Sequence, residues 1–148
     1  MPRTIWTLAL VCLLGACRPP AELSNARGEA VSLSQFAGKP LLVNYFAQWC
    51  APCLREMPLL NALHAEGRVQ VLALSFDAMT PAELGELARR HDIRVPIMQR
   101  NDGGAPLPFP RPGQLPTSYL LDGEGKLVQT LVGELDDARL ATLTLPQP

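Results

Sequence analysis

The densest apolar stretch in the chain is Leu41-Leu42-Val43-Asn44-Tyr45-Phe46, with β-branched and aromatic members and a single polar residue. Such a run predicts a central strand buried on both faces. Val69–Phe76 repeats the pattern and predicts a second buried strand. Between them, Leu54, Met57, Leu60, Leu63 and His64 recur at helical spacing. They predict a helix with Pro52 in its first turn, a kink at Pro58 and a stop at Gly67. Thr80-Pro81-Ala82-Glu83 reads as a helix start, with Thr80 as N-cap and Glu83 three residues on, and that helix runs to about His91. Val95–Met98 predicts a third short strand. Ser118–Leu121 and Lys126–Val132 alternate with period two around Asp122-Gly123-Glu124-Gly125, a hairpin pattern, and Asp136–Leu143 predicts a last helix. The order β-α-β-α-β-β-α predicts an α/β fold with a mixed sheet, in which strands joined by a crossover helix are parallel.

The remaining segments lack such periodicity. Residues 18–27, beginning Arg18-Pro19-Pro20, read as a stiff polar tether. Gly28–Leu33 predicts a short edge strand and Ser34–Pro40 a turn. Residues 101–116 hold three glycines and five prolines, which argues against regular structure there.

The N-terminus has a different character. Arg3 supplies a short positive region and Ile5–Leu14 an apolar one, well short of the roughly 20 residues of a membrane-spanning helix. Leu14-Gly15-Ala16-Cys17 follows and resembles the lipobox of bacterial lipoproteins. The resemblance implies a signal peptide over residues 1–16, acylation of Cys17, a lipid-anchored tether over 17–27 and a folded domain over 28–148. Arg18 follows the anchor where an inner-membrane retention signal would have aspartate, which leans the expected location toward the outer membrane. Composition adds little. The 148 residues suit one domain beyond the signal, 47% are hydrophobic, and a net charge of −1 gives no sign of nucleic acid or a polybasic membrane surface.

Chemistry concentrates in Trp49-Cys50-Ala51-Pro52-Cys53. Of the four cysteines, Cys12 would leave with the signal and Cys17 would carry lipid, so Cys50 and Cys53 remain as free thiols. A Cys-X-X-Cys at a strand-to-helix junction places the first sulfur against the unpaired N–H groups of the helix N-terminus, which stabilise a thiolate. The spacing permits both an open dithiol and a closed disulfide. The same motif is half of a zinc site, but structural zinc needs about four ligands, and His64 and His91 lack the spacing. Both are read as solvated helix residues, and neither metal nor cofactor is expected.

Val43-Asn44-Tyr45-Phe46-Ala47-Gln48-Trp49-Cys50-Ala51-Pro52-Cys53 resembles the active-site segment of the thioredoxin superfamily. Cys53-Leu54-Arg55-Glu56-Met57-Pro58 is similar to its TlpA/ResA-like membrane-tethered branch, and Leu115-Pro116-Thr117-Ser118-Tyr119-Leu120-Leu121-Asp122-Gly123 resembles the branch's cis-proline strand. The similarity spans roughly residues 28–143 and implies a thioredoxin-like fold, a central mixed β-sheet flanked by helices. It also implies a thiol-disulfide oxidoreductase acting on protein substrates. Thioredoxin proper has a buried aspartate where this chain has Asn44, and the segment Pro108–Gln114 departs from the branch, so the partner does not carry over.

Roles follow. Cys50 is expected to attack a partner disulfide and Cys53 to resolve the mixed disulfide. Glu56, one turn beyond Cys53, reads either as a solvated helix glutamate or as the group that accepts the Cys53 proton. A cis Pro116 would bring Leu115 toward the sulfurs, where its backbone pairs with an extended substrate. Trp49 covers one side of the site or simply packs in the core. Thr117 joins the substrate-facing set, with a structural role the stronger reading. The expected protein is a monomeric reductase outside the cytoplasmic membrane, re-reduced by a membrane thiol carrier, in cytochrome c maturation or metal-site assembly. An oxidase or isomerase, and a Cu(I)-handling binding protein, are the alternatives.

Overall fold

The computed structural model describes residues 20–145. The signal segment, Cys17 and Arg18 lie outside the described residues. Seven strands form one sheet: β1 (Leu23–Asn25), β2 (Ala30–Val31), β3 (Leu41–Phe46), β4 (Gln70–Ser75), β5 (Ile97–Arg100), β6 (Thr117–Leu121) and β7 (Leu127–Val132). Their order across the sheet is β2-β1-β5-β4-β3-β6-β7. The neighbours β3–β4 and β4–β5 are parallel, and the other pairs are antiparallel. Helices α1 (Ala51–Glu66) and α2 (Pro81–Arg90) are the crossovers, and α3 (Asp137–Leu140) closes the fold.

The apolar pattern along β3 is fulfilled: all six residues are buried, three toward each face of the sheet. Leu42 and Phe46 meet Met57 and Leu60 of α1 and Leu84 and Leu87 of α2. Because β3, β4 and β5 succeed one another in one direction, two crossovers of the same hand put both helices on this face. Val43 and Tyr45 face the other side, packing with Leu72, Leu74, Met98 and Tyr119. A 3-10 helix (Leu33–Phe36) and Phe109 of the proline- and glycine-rich segment pack against that second face. Phe109 stacks on Tyr119 with ring centroids 4.6 Å apart and meets Tyr45 edge-on at 6.2 Å.

Local signals set most element ends. Thr80 and Glu83 form a reciprocal capping box, and Gly67 closes α1 at φ 74°, a left-handed conformation that glycine adopts without strain. Pro58 lies inside α1 as expected.

Three expectations need correction. The tether does not extend to residue 27, because Leu23 is buried and Leu23–Asn25 pairs with both β2 and β5. With one apolar residue in three, this strand has no periodicity to display; its partners define it. The third parallel strand begins at Ile97 instead of Val95. The side-chain oxygen of Asn61 on α1 accepts the N–H groups of Arg94 and Val95, at 2.8 and 3.2 Å, and so holds those two residues out of the ladder. His64 is not simply solvated: its Nδ1 accepts the Val71 N–H at 3.1 Å and ties the end of α1 to β4.

Candidate active site

Cys50 is the N-cap of α1, and Cys53 lies in its first turn. The two sulfurs form a disulfide with an S–S distance of 2.04 Å. Cys50 Sγ also accepts the Cys53 backbone N–H at 3.3 Å. This is the N-cap arrangement, with sulfur in place of the usual oxygen, and it offers donors to any negative charge that develops on Cys50. Pro52 in the same turn has no N–H to leave unsatisfied.

Glu56 is only 2% exposed, although a helix glutamate ordinarily faces water. Its Oε1 accepts from Asn44 Nδ2 at 2.7 Å and its Oε2 accepts the Leu135 N–H at 2.6 Å. Burial pushes its pKa up to about 7, against the Leu135 and Asn44 hydrogen bonds, which favour the charged form. The sequence presents Asn44 only as a missing acid. In the fold it is the residue that holds the nearby carboxylate, and it also donates to Ser118 Oγ at 2.9 Å. Leu135 could not be found from sequence, since it contributes a backbone N–H from the loop before α3. Around that loop, Arg55 pairs with Glu134 at 2.6 Å and Arg139 donates to the Glu134 and Val132 carbonyls.

The Leu115–Pro116 peptide is cis. Thr117 pairs with Tyr45, so Pro116 lies at the carboxyl edge of β3, the edge that carries the cysteines. Leu115 is partly buried and packs against both apolar faces. Thr117 is buried, and its hydroxyl donates to the Gln114 carbonyl at 2.8 Å, so its side chain braces the preceding loop and is not offered to a substrate. Trp49 is 65% exposed and therefore not a core residue. Its ring meets Phe76 edge-on at 6.5 Å, and its Nε1 donates to Asp77 at 2.8 Å. Among the described residues no group of three or more His, Cys, Asp or Glu side chains is placed to hold a metal ion.

A central mixed sheet, a first crossover helix capped by one half of a Cys-X-X-Cys disulfide, and a cis-proline at the start of the next antiparallel strand define the thioredoxin-like fold in its ResA/DsbE-like form. The AhpC/TSA family model matches residues 14–130, and the chain belongs to that family. It is 31% identical over 124 residues to the thiol-disulfide oxidoreductase ResA of Bacillus thuringiensis subsp. konkukian, covering 82% of this chain and 70% of that protein. Among solved structures it resembles a thiol-disulfide isomerase from Corynebacterium glutamicum, at 26% identity and a TM-score of 0.64, over 83% of this chain and 91% of that one. The pneumococcal exposed lipoprotein thioredoxin of Streptococcus pneumoniae shares the fold at 23% identity and a TM-score of 0.65, over 82% of this chain and 95% of that one.

Proposed function

We propose that this protein is an extracytoplasmic thiol-disulfide oxidoreductase that keeps particular protein cysteines reduced. The carrying observation is the Cys50–Cys53 disulfide at the N-terminus of α1, with Cys50 Sγ held by the Cys53 N–H. In the reduced protein the Cys50 thiolate attacks a partner disulfide, forming a Cys50–partner mixed disulfide and releasing one partner thiolate. Cys53 passes its proton to the Glu56 carboxylate, and its sulfur attacks Cys50 Sγ. The Cys50–Cys53 bond closes and the second partner thiolate leaves. The partner gains two electrons and this chain loses two; a membrane dithiol carrier restores them. Glu56 suits the proton-accepting step because a base works best with a pKa near the working pH, and its own is raised to about 7. Leu115 and Trp49 flank the path of the substrate chain, and Pro116 has no N–H to compete with it.

The lipobox-like Leu14–Cys17 segment supports anchoring through Cys17 on the periplasmic side of a bacterial membrane, with Arg18 favouring the outer one. The resemblance of Cys53–Pro58 to the TlpA/ResA-like branch supports cytochrome c maturation or metal-site assembly as the setting. The reduction potential tests the direction of flow. A value near about −270 mV or below is expected, and one near about −120 mV would make the protein an oxidant instead.

A further inference from the structure

A cavity of about 290 Å3 has Tyr45, Phe76, Asp77, Arg100 and Arg111 in its wall, and Trp49 touches two of these, Phe76 and Asp77. Tyr45 enters it from the face of the sheet opposite α1. The residue is 2% exposed and its hydroxyl is shut off from water, so it forms the floor of the cavity and is not itself offered to a ligand. Arg100 and Arg111 both act on this phenol, opposing the rise in pKa that burial imposes. Neither arginine belongs to an ion pair among the described residues.

Arg111 is fixed in place. Its guanidinium stacks 3.9 Å over the Phe76 ring, and its Nη2 donates to the Phe76 carbonyl at 2.8 Å. Among the described residues its other N–H groups have no acceptor. Two aspartates also line the cavity. Asp77 is turned to the Trp49 indole, which donates to its Oδ2 at 2.8 Å, and Asp102 sits on the exposed rim. With Asp77 engaged by the indole, the cavity offers a ligand the exposed guanidinium groups of Arg100 and Arg111 against the single exposed carboxylate of Asp102. Guanidinium forks match a planar carboxylate, and a neutral or cationic group would leave them unanswered. The volume takes a carboxylate side chain with a few waters at about 30 Å3 each.

Location completes the argument. Phe76 is wedged between Trp49 and Arg111, so one stack of rings and guanidinium connects the Cys-X-X-Cys motif to the cavity. A chain whose cysteine sits at Cys50 and which crosses Trp49 lays a neighbouring residue over it. We infer that this cavity is a carboxylate-binding subsite for the polypeptide substrate, taking an acidic side chain or a C-terminal carboxylate close to the cysteine that reacts with Cys50. The inference rests on the thiol-disulfide exchange proposed above.

The test uses the full chain and cysteine peptides presented as mixed disulfides. They are identical except for Glu or Gln at stepped distances from the cysteine, each also made as the free acid and the C-terminal amide. At the matching distance the wild type should favour Glu over Gln by about tenfold in kcat/KM, carried by KM, the effect of one charge-assisted hydrogen bond. If the C-terminal group is the ligand, the preference lies between acid and amide instead. Arg100→Gln and Arg111→Gln should each bring that ratio close to one; a ratio taken within one variant cancels any general loss. Equal rates for all peptides in the wild type, or a preference that survives both substitutions, overturns the subsite. Slow exchange with every peptide and with uncharged 2-hydroxyethyl disulfide counts against the dithiol chemistry itself. The same peptides with serine for cysteine, titrated onto the oxidised protein by NMR, then read the subsite alone, and the absence of Arg100-dependent carboxylate binding overturns it.

Discussion

Asn44 donates its side-chain amide to Glu56 at 2.7 Å, while the carbonyl oxygen of the same amide is buried without a partner. The arrangement suits a charged carboxylate: Asn44 and the Leu135 N–H both donate, and the carboxylate only accepts. A protonated Glu56 has one donor of its own to place. Rotating the Asn44 amide by half a turn would bring its idle oxygen to that proton. The same turn takes Nδ2 away from Ser118 Oγ, so that hydroxyl would rotate to donate to Asn44 in its place.

This sets the expected kinetics. In the proposed mechanism Glu56 takes the Cys53 proton only when ionised, and its pKa is raised to about 7. Resolution of the mixed disulfide should therefore accelerate as pH rises through about 7. Glu56→Gln should lose that inflection and resolve about 10²-fold more slowly near neutrality, the low end of general-base effects. Stopped-flow measurements with a model disulfide across about pH 5 to 9 check it. Superimposable profiles would remove Glu56 from the mechanism.

The same carboxyl links folding to pH. Burial raises its pKa from 4.5 in the unfolded reference to about 7 in the fold, so the folded state binds the proton more tightly. Its contribution is fully present below about pH 4.5 and is lost as pH rises through about 7. The loss is on the order of 3 kcal/mol. Urea unfolding of the oxidised protein should show wild type losing stability relative to Glu56→Gln over that interval. A constant difference between the two would refute the linkage. Exposed Glu83 and Glu86, whose pKa values are lowered, act in the opposite sense in both proteins and cancel in the comparison.

Phe109→Ala should destabilise the fold by about 3 to 5 kcal/mol, the range for removing a buried phenylalanine ring. The ring stacks on Tyr119 and meets Tyr45, and nothing else in the segment 101–116 is both aromatic and buried. Chemical denaturation of the variant measures the effect; a loss below about 1 kcal/mol would mean that the segment packs without it.

Cys50 should be the thiol that reacts first. In the closed form it retains 5% exposure against 0% for Cys53, and it alone caps the helix. Brief alkylation of the reduced protein at mildly acidic pH, followed by peptide mapping, should find the label on Cys50. Predominant labelling of Cys53 would reverse the assignment. Cys53→Ser should accumulate mixed disulfides through Cys50, because nothing remains to resolve them.

The central elements were legible because their signals are local. The unbroken run at Leu41–Phe46, the capping box at Thr80 and the turn between β6 and β7 each carry their cause within a few residues. The Cys-X-X-Cys motif and the distal Pro-Thr marked two ends of the site that meet only across the sheet. What stayed hidden depends on partners distant in sequence. Leu23–Asn25 is a strand because β2 and β5 flank it, and Asn61 delays β5 from 33 residues away. Glu56 stands out in the sequence as one turn beyond Cys53, but the Asn44 amide and the Leu135 N–H that enclose it come from distant elements. Phe109 lies in a segment whose prolines obscure its packing against the sheet.

The register of β1 on β5 has a consequence for how the molecule is moored. Leu23 lies opposite Arg100, and Pro20 accepts the Ala105 N–H, so the chain enters the fold at the carboxyl edge of the parallel strands. Cys50 stands on that same edge, just past the end of β3. With Cys17 as the proposed lipid anchor, only Arg18 and Pro19 lie between it and Pro20, a leash of at most about 10 Å. The catalytic end of the domain would then hang toward the bilayer rather than away from it. Partners rooted in that membrane would meet the disulfide head-on, and a freely diffusing protein would have to enter the gap between domain and lipid.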